Sequence, residues 1–126
     1  MYTILLKEEY MTKESHFPII AHINEAYNNN IMDFIDCMIR GIGVGYNYTC
    51  SSFWDELDDF DKENTPKYDG LLIETEADER VILSIPELLH YLELTRKCLS
   101  DISSPYTDDF EEKIGKFKIA YKGKLN

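Results

Sequence analysis

The chain has 126 residues, enough for one domain with a single core. At 44% apolar and 13% aromatic it is too rich in core-forming side chains for intrinsic disorder. A formal net charge of −11 argues against direct binding to nucleic acid or an anionic membrane and for a basic partner.

No apolar run approaches the roughly 20 residues that span a bilayer. The opening MYTILLKEEY follows no basic segment and leads to no small-residue cleavage site, so it does not read as a signal peptide and the expected compartment is the cytoplasm. Cys37, Cys50 and Cys98 are odd in number and lack C-x-x-C spacing, which suggests neither a disulfide framework nor a zinc site. Cys37 and Cys98 sit on apolar helical stripes and are expected to be buried free thiols.

Tyr2 to Leu6 fits either a short strand or an ordered arm. From Pro18, a residue suited to a first helical turn, Ile19, Ile20, Ile23, Ala26 and Tyr27 recur at helical spacing. Asn28, Asn29 and Asn30 interrupt that pattern. Ile31, Phe34, Ile35, Met38 and Ile39 then share one face of a second helix, with Gly41 as its stop. A β-prone stretch beginning near Ile42 and carrying Tyr46, Tyr48 and Thr49 predicts a strand.

An acid-rich loop is expected next. Residues 55–79 carry eleven acids against Lys62 and Lys67, a net −9 in about a fifth of the chain. Phe53, Trp54, Phe60 and Tyr68 interleave these acids, which favours a recognition surface over a merely solvated charge run. Leu71 to Thr75 and Arg80 to Ser84 read as an antiparallel hairpin. Ser84-Ile85-Pro86-Glu87 forms a capping box for a helix burying Leu88, Leu89, Leu92, Thr95 and Leu99. A last helix starts at Ser104-Pro105 or Thr107 and carries Phe110, Ile114, Phe117 and Tyr121 on one face. Gly115 weakens it by about 1 kcal/mol relative to Ala. The expected fold is a single α+β domain over residues 1–126, with N-terminal helices, a small antiparallel sheet of about three or more strands, and C-terminal helices.

Catalytic signatures are missing. Gly41-Ile42-Gly43-Val44-Gly45 lacks the G-x-G-x-x-G order and leads from a helix into a strand, the reverse of a dinucleotide-binding turn. No start among Asp55, Asp58 and Asp59 satisfies an EF-hand register. His16, His22 and His90 are far apart in sequence and in no metal-binding spacing. Carboxylates are abundant, but none stands out as the apolar-pocket acid that acid/base catalysis needs. No catalytic, cofactor or metal residue is assigned.

From Gly41 to Tyr91 the order of short patterns resembles a family of bacterial immunity proteins. These patterns are G-I-G-V-G-Y leaving a helix, F-W-D-E opening the acidic segment, K-Y-D-G-L-L-I-E, and E-R-V-I-L-S-I-P-E-L-L-H-Y-L running from a strand into a capped helix. The family is that of the CdiI proteins, which protect producers of contact-dependent growth inhibition from ribonuclease toxins. The resemblance covers about two thirds of the chain when the preceding helices are included. It implies a non-enzymatic protein that binds the basic C-terminal nuclease domain of a cognate CdiA toxin, occupying a cleft built for a polyanion. The residues expected to touch the toxin are Phe53, Trp54, Asp55, Glu56, Asp58, Asp59, Asp61, Glu63, Tyr68, Asp69, Glu74 and Glu76. The acids would steer the encounter, and Phe53, Trp54 and Tyr68 would act as desolvated anchors. Trp54 fits a core position equally well. Two alternatives stand beside this reading: a small acidic adaptor for another basic partner, and a metal-dependent hydrolase using the acidic segment.

Overall fold

The computed structural model describes residues 2–125. Helices α1 (Phe17–Asn29) and α2 (Ile31–Arg40) precede a three-stranded antiparallel sheet. The sheet consists of β1 (Thr49–Phe53), β2 (Leu71–Thr75) and β3 (Arg80–Leu83), in that order in space as in sequence. A short helix α3 (Asp59–Asn64) lies between β1 and β2, and α4 (Ile85–Asp101) and α5 (Thr107–Ala120) close the chain. This is the expected α+β arrangement. Among the described residues no helix is long and apolar enough to cross a membrane.

Residues 2–6 form an arm, not a strand. The Asn24 side chain accepts from the backbone N–H groups of Leu5 and Leu6 (2.9 and 2.7 Å) and donates to the Leu6 carbonyl. Asn28, one turn later on α1, exchanges the same kind of bonds with Thr3. Two amides at i and i+4 thus replace the neighbouring strand that the arm lacks, and Leu5 and Leu6 are buried.

Asn30 separates α1 from α2 by adopting an extended backbone, and its side chain accepts from the Asp33 N–H as the N-cap of α2. Gly41 ends α2 in the left-handed conformation at φ +71°. The strand expected from about residue 42 begins instead at Thr49. Residues 42–48 fold back along the outer edge of β1, where Val44 accepts from Ser51 N–H and Thr49 accepts from Tyr46 N–H, both at 2.8 Å. The approach is so close at Gly43 that an added Cβ would lie 2.0 Å from the Ser51 carbonyl oxygen. Glycine there serves packing and protects a sheet edge.

The hairpin pairs Leu71 with Leu83 and Glu74 with Arg80, while β1 pairs Phe53 with Leu71 and Thr49 with Thr75. Helix α1 packs on all three strands, and α5 packs on both α2 and α4. Phe53, Leu71, Ile73 and Leu83 meet the buried faces of these helices in one core. The capping box at the head of α4 forms as expected, with Ser84 N–H donating to Glu87 and Glu87 N–H donating to Ser84 Oγ. Leu88, Leu92, Thr95 and Leu99 are buried as expected, but Leu89 is only half-buried and Tyr91 is fully buried with them. Cys98 is buried as expected, but Cys37 is half-buried and Cys50 exposed.

Candidate functional site

The acidic segment is structured along most of its length. Residues Trp54–Glu56 form a turn of 3-10 helix. Asp58 then accepts from Asp61 N–H at 2.8 Å as the N-cap of α3. No residue of α3 is buried, so Asp59, Asp61 and Glu63 face solvent together with Phe60, which is 71% exposed.

The sheet register divides the expected contact residues into two groups. Phe53 and Leu71 are paired at one end of the sheet. Glu74 and Glu76 are three and five residues further along, roughly 10 and 17 Å at the usual strand rise. Glu74 is held by Arg80 on the neighbouring strand, and Glu76 belongs to the exposed hairpin tip. Trp54, Asp55, Tyr68 and Asp69 gather at the Phe53 end, and Glu56 is bonded to Phe53 itself, whereas Asp58, Asp59, Asp61 and Glu63 belong to α3 and its cap.

At the Phe53 end a cleft of about 590 Å³ has walls formed by Phe53, Trp54, Tyr68 and Tyr121. Phe53 stacks on Tyr121 with ring centroids 6.3 Å apart, and Trp54 meets Tyr68 edge-on at 5.6 Å. Phe53 and Tyr68 are 8% and 7% exposed and so belong to the body of the protein. Tyr68 donates its hydroxyl to the Ser52 carbonyl, and Tyr121 donates to the Met38 carbonyl. Burial pushes the Tyr121 phenol up to about 12, with the Glu56 carboxylate adding to the effect. Trp54 is the half-buried member of the set.

The cleft itself is not an acidic hole. Asp55 and Asp69 line it together with Lys67 and Lys124, and Lys124 lies 3.1 Å from Asp69. Its two acids and two bases balance, and the excess negative charge sits on α3, in the chain between its lining residues Asp55 and Lys67. Glu56 is occupied by the fold, accepting from Gly43 N–H at 2.6 Å and from Phe53 N–H at 2.7 Å. Nothing in the sequence marks Tyr121, Lys67 or Lys124 as site residues. Tyr121 reads as one more apolar position of the last helix, and no local pattern marks a lysine in the tail as facing Asp69.

Two hydrogen-bonded clusters centre on histidines. His16 is buried, with Tyr91 Oη 2.8 Å from its Nδ1 and a Glu87 carboxylate oxygen 3.3 Å from its Nε2. His22 is fully buried, and burial lowers its pKa to about 3, so the ring is neutral at ordinary pH. Its Nδ1 lies 2.7 Å from Thr49 Oγ1 and its Nε2 2.9 Å from Ser51 Oγ. Thr49 in turn donates to Glu25 at 2.6 Å. This chain of bonds fastens β1 to α1. Among the described residues no three His, Cys, Asp or Glu side chains converge as metal ligands. No protein-family model matches the chain, and no similar curated protein or solved structure is found.

Proposed function

We propose that the chain is an immunity protein that binds and neutralises the basic ribonuclease domain at the C-terminus of a cognate CdiA toxin. The observation that carries this reading is the aromatic cleft of Phe53, Trp54, Tyr68 and Tyr121, between whose lining residues Asp55 and Lys67 the chain forms a helix of exposed acids. A charge-balanced, aromatic-walled cleft can seat one side chain of a partner as a desolvated anchor, while Asp59, Asp61 and Glu63 attract a basic surface around it. Neutralisation then needs no chemistry from this chain, because occupying the nuclease cleft excludes its RNA. The adaptor alternative uses the same surface with a different basic partner. A metal-dependent hydrolase would need a converging donor set, for which the described residues offer no candidate.

The test is co-expression with CdiA C-terminal ribonuclease domains, beginning with any encoded next to this chain's own gene. Rescue of growth from a toxic domain, with a one-to-one complex in solution, is the expected result. A toxic domain encoded next to this chain's own gene that the chain neither binds nor neutralises would overturn the reading.

A further inference from the structure

At the opposite end of the sheet, Tyr2, Glu25, Asn28, Asn29, Asn47 and Tyr48 line a small cavity of about 260 Å³. Glu25 is 5% exposed. Its carboxylate accepts from Tyr48 N–H (3.2 and 3.1 Å to its two oxygens) and from Thr49 Oγ1 (2.6 Å). All these donors are neutral. Among the described residues no Lys, Arg or His nitrogen lies within ion-pair distance of Glu25. The next group along the network, His22, is itself uncharged at ordinary pH because burial holds its pKa near 3. With neutral donors alone and no counter-cation among the described residues, the Glu25 carboxylate is a ready partner for a cation arriving from outside.

The walls specify the cation. Tyr2 and Tyr48 are 54% and 62% exposed, and both line the cavity, giving it two aromatic surfaces. The same two tyrosines and Glu25 also border an adjoining groove that carries Glu76 and Glu79 from the hairpin tip. A metal ion is a poor match, since one carboxylate does not make a donor set. A planar guanidinium fits better: it stacks on aromatic surfaces and presents a fork of donors to a carboxylate. A second copy of this chain, at net −11, would meet its own charge.

We propose that this cavity is an arginine receptor, in which a partner protein's guanidinium packs on the lining tyrosines Tyr2 and Tyr48 and pairs with Glu25. The inference rests on the proposed function only for the partner's identity, the toxin domain. The recognition chemistry is independent of it.

The full chain is titrated with acetyl-Gly-Arg-Gly-amide and followed through the backbone amides of Tyr2, Glu25, Asn47 and Tyr48. Saturable shifts are expected. The citrulline peptide, of the same shape without charge, should bind about tenfold more weakly or worse, as should the arginine peptide to Glu25→Gln. Glu25→Gln keeps an acceptor for Thr49. Tyr48→Ala alters an exposed side chain and supplies a second variant if Glu25→Gln fails to fold; it should weaken binding severalfold. Equal binding of the two peptides, shifts confined to α3, or affinity unchanged in both variants would overturn the proposal. Self-association abolished by the same variants would assign the cavity to a second copy and also overturn it. If the toxin domain does not bind the parent chain, the proposed function fails while the peptide result stands. If the domain binds regardless of both variants and the peptide does not bind, the receptor fails and the proposed function stands.

Discussion

Side chains of one chemical type have been put to different uses within a dozen residues of each other. Glu56 accepts two backbone N–H groups, one from Gly43 and one from Phe53, and so ties the segment leaving α2 to the end of β1. Asp59, two residues before Asp61 on α3, is exposed and makes no such bond. Glu56→Ala should therefore lower stability by about 1–2 kcal/mol, the worth of two charge-assisted bonds discounted for their exposure. Asp59→Asn should change it by less than about 0.5 kcal/mol. Denaturant melts of the two variants check this, and equal midpoints would show that Glu56 is one more surface acid. Trp54 is the matching case among the aromatics. Phe53 and Tyr68 are tied into the body by burial and by the Tyr68 bond to Ser52, whereas Trp54 is half-buried at the cleft rim. Trp54→Ala is expected to cost about 2–4 kcal/mol in toxin binding with a smaller loss of stability. A melting temperature lowered by many degrees with unchanged affinity would make Trp54 a core residue.

At the level of elements, the joint between α1 and β1 carries a pH signature. The folded pKa of His22 is about 3, below the ordinary value of about 6.5 that the unfolded chain regains. Between those limits the unfolded state binds a proton that the folded state refuses, so His22 makes stability fall as pH falls from about 6.5 towards 3. The slope attributable to one such group is about 1.4 kcal/mol per pH unit. Protonation of the many carboxylates acts in the same range, so the test is a difference. The dependence of unfolding free energy on pH in His22→Gln should be shallower than in the parent by about one proton between pH 4 and 6. Parallel curves would mean that His22 titrates freely in the fold. The elements themselves were readable where a local device announces them. The Ser84–Glu87 box, the Asn30 break, the Gly41 stop and the hairpin runs all depend on residues a few positions apart. The strand at 49–53 was displaced because Tyr46 and Tyr48 have strand propensity, yet their segment is used to cover the edge of β1. That outcome depends on Gly43 meeting Ser51, a contact no periodicity encodes. For the same reason the run of acids read as one surface, although the register of β1 on β2 sends Glu74 and Glu76 away from Asp55 and Asp69.

Over the whole molecule, the charge pattern separates attraction from retention. The cleft is charge-balanced by Lys67 and Lys124, so the field that a basic partner meets first comes from α3 and the hairpin tip, not from the cleft walls. Charges on exposed surfaces act over a Debye length of about 8–10 Å at moderate salt and contribute little once a complex has docked. The association rate with a basic toxin domain should therefore exceed the roughly 10⁵–10⁶ M⁻¹s⁻¹ of an unsteered pair and drop steeply with added salt, while the dissociation rate changes little. Replacing Asp59 and Asp61 by Asn and Glu63 by Gln should reproduce the high-salt association rate at low salt without altering dissociation, since none of the three caps α3 or bonds the core. Asp58 is left intact in this variant because it is the cap. Stopped-flow association that is indifferent to salt up to about 0.5 M, or a triple variant that dissociates faster at an unchanged on-rate, would show that α3 is part of the docked interface and that steering comes from elsewhere.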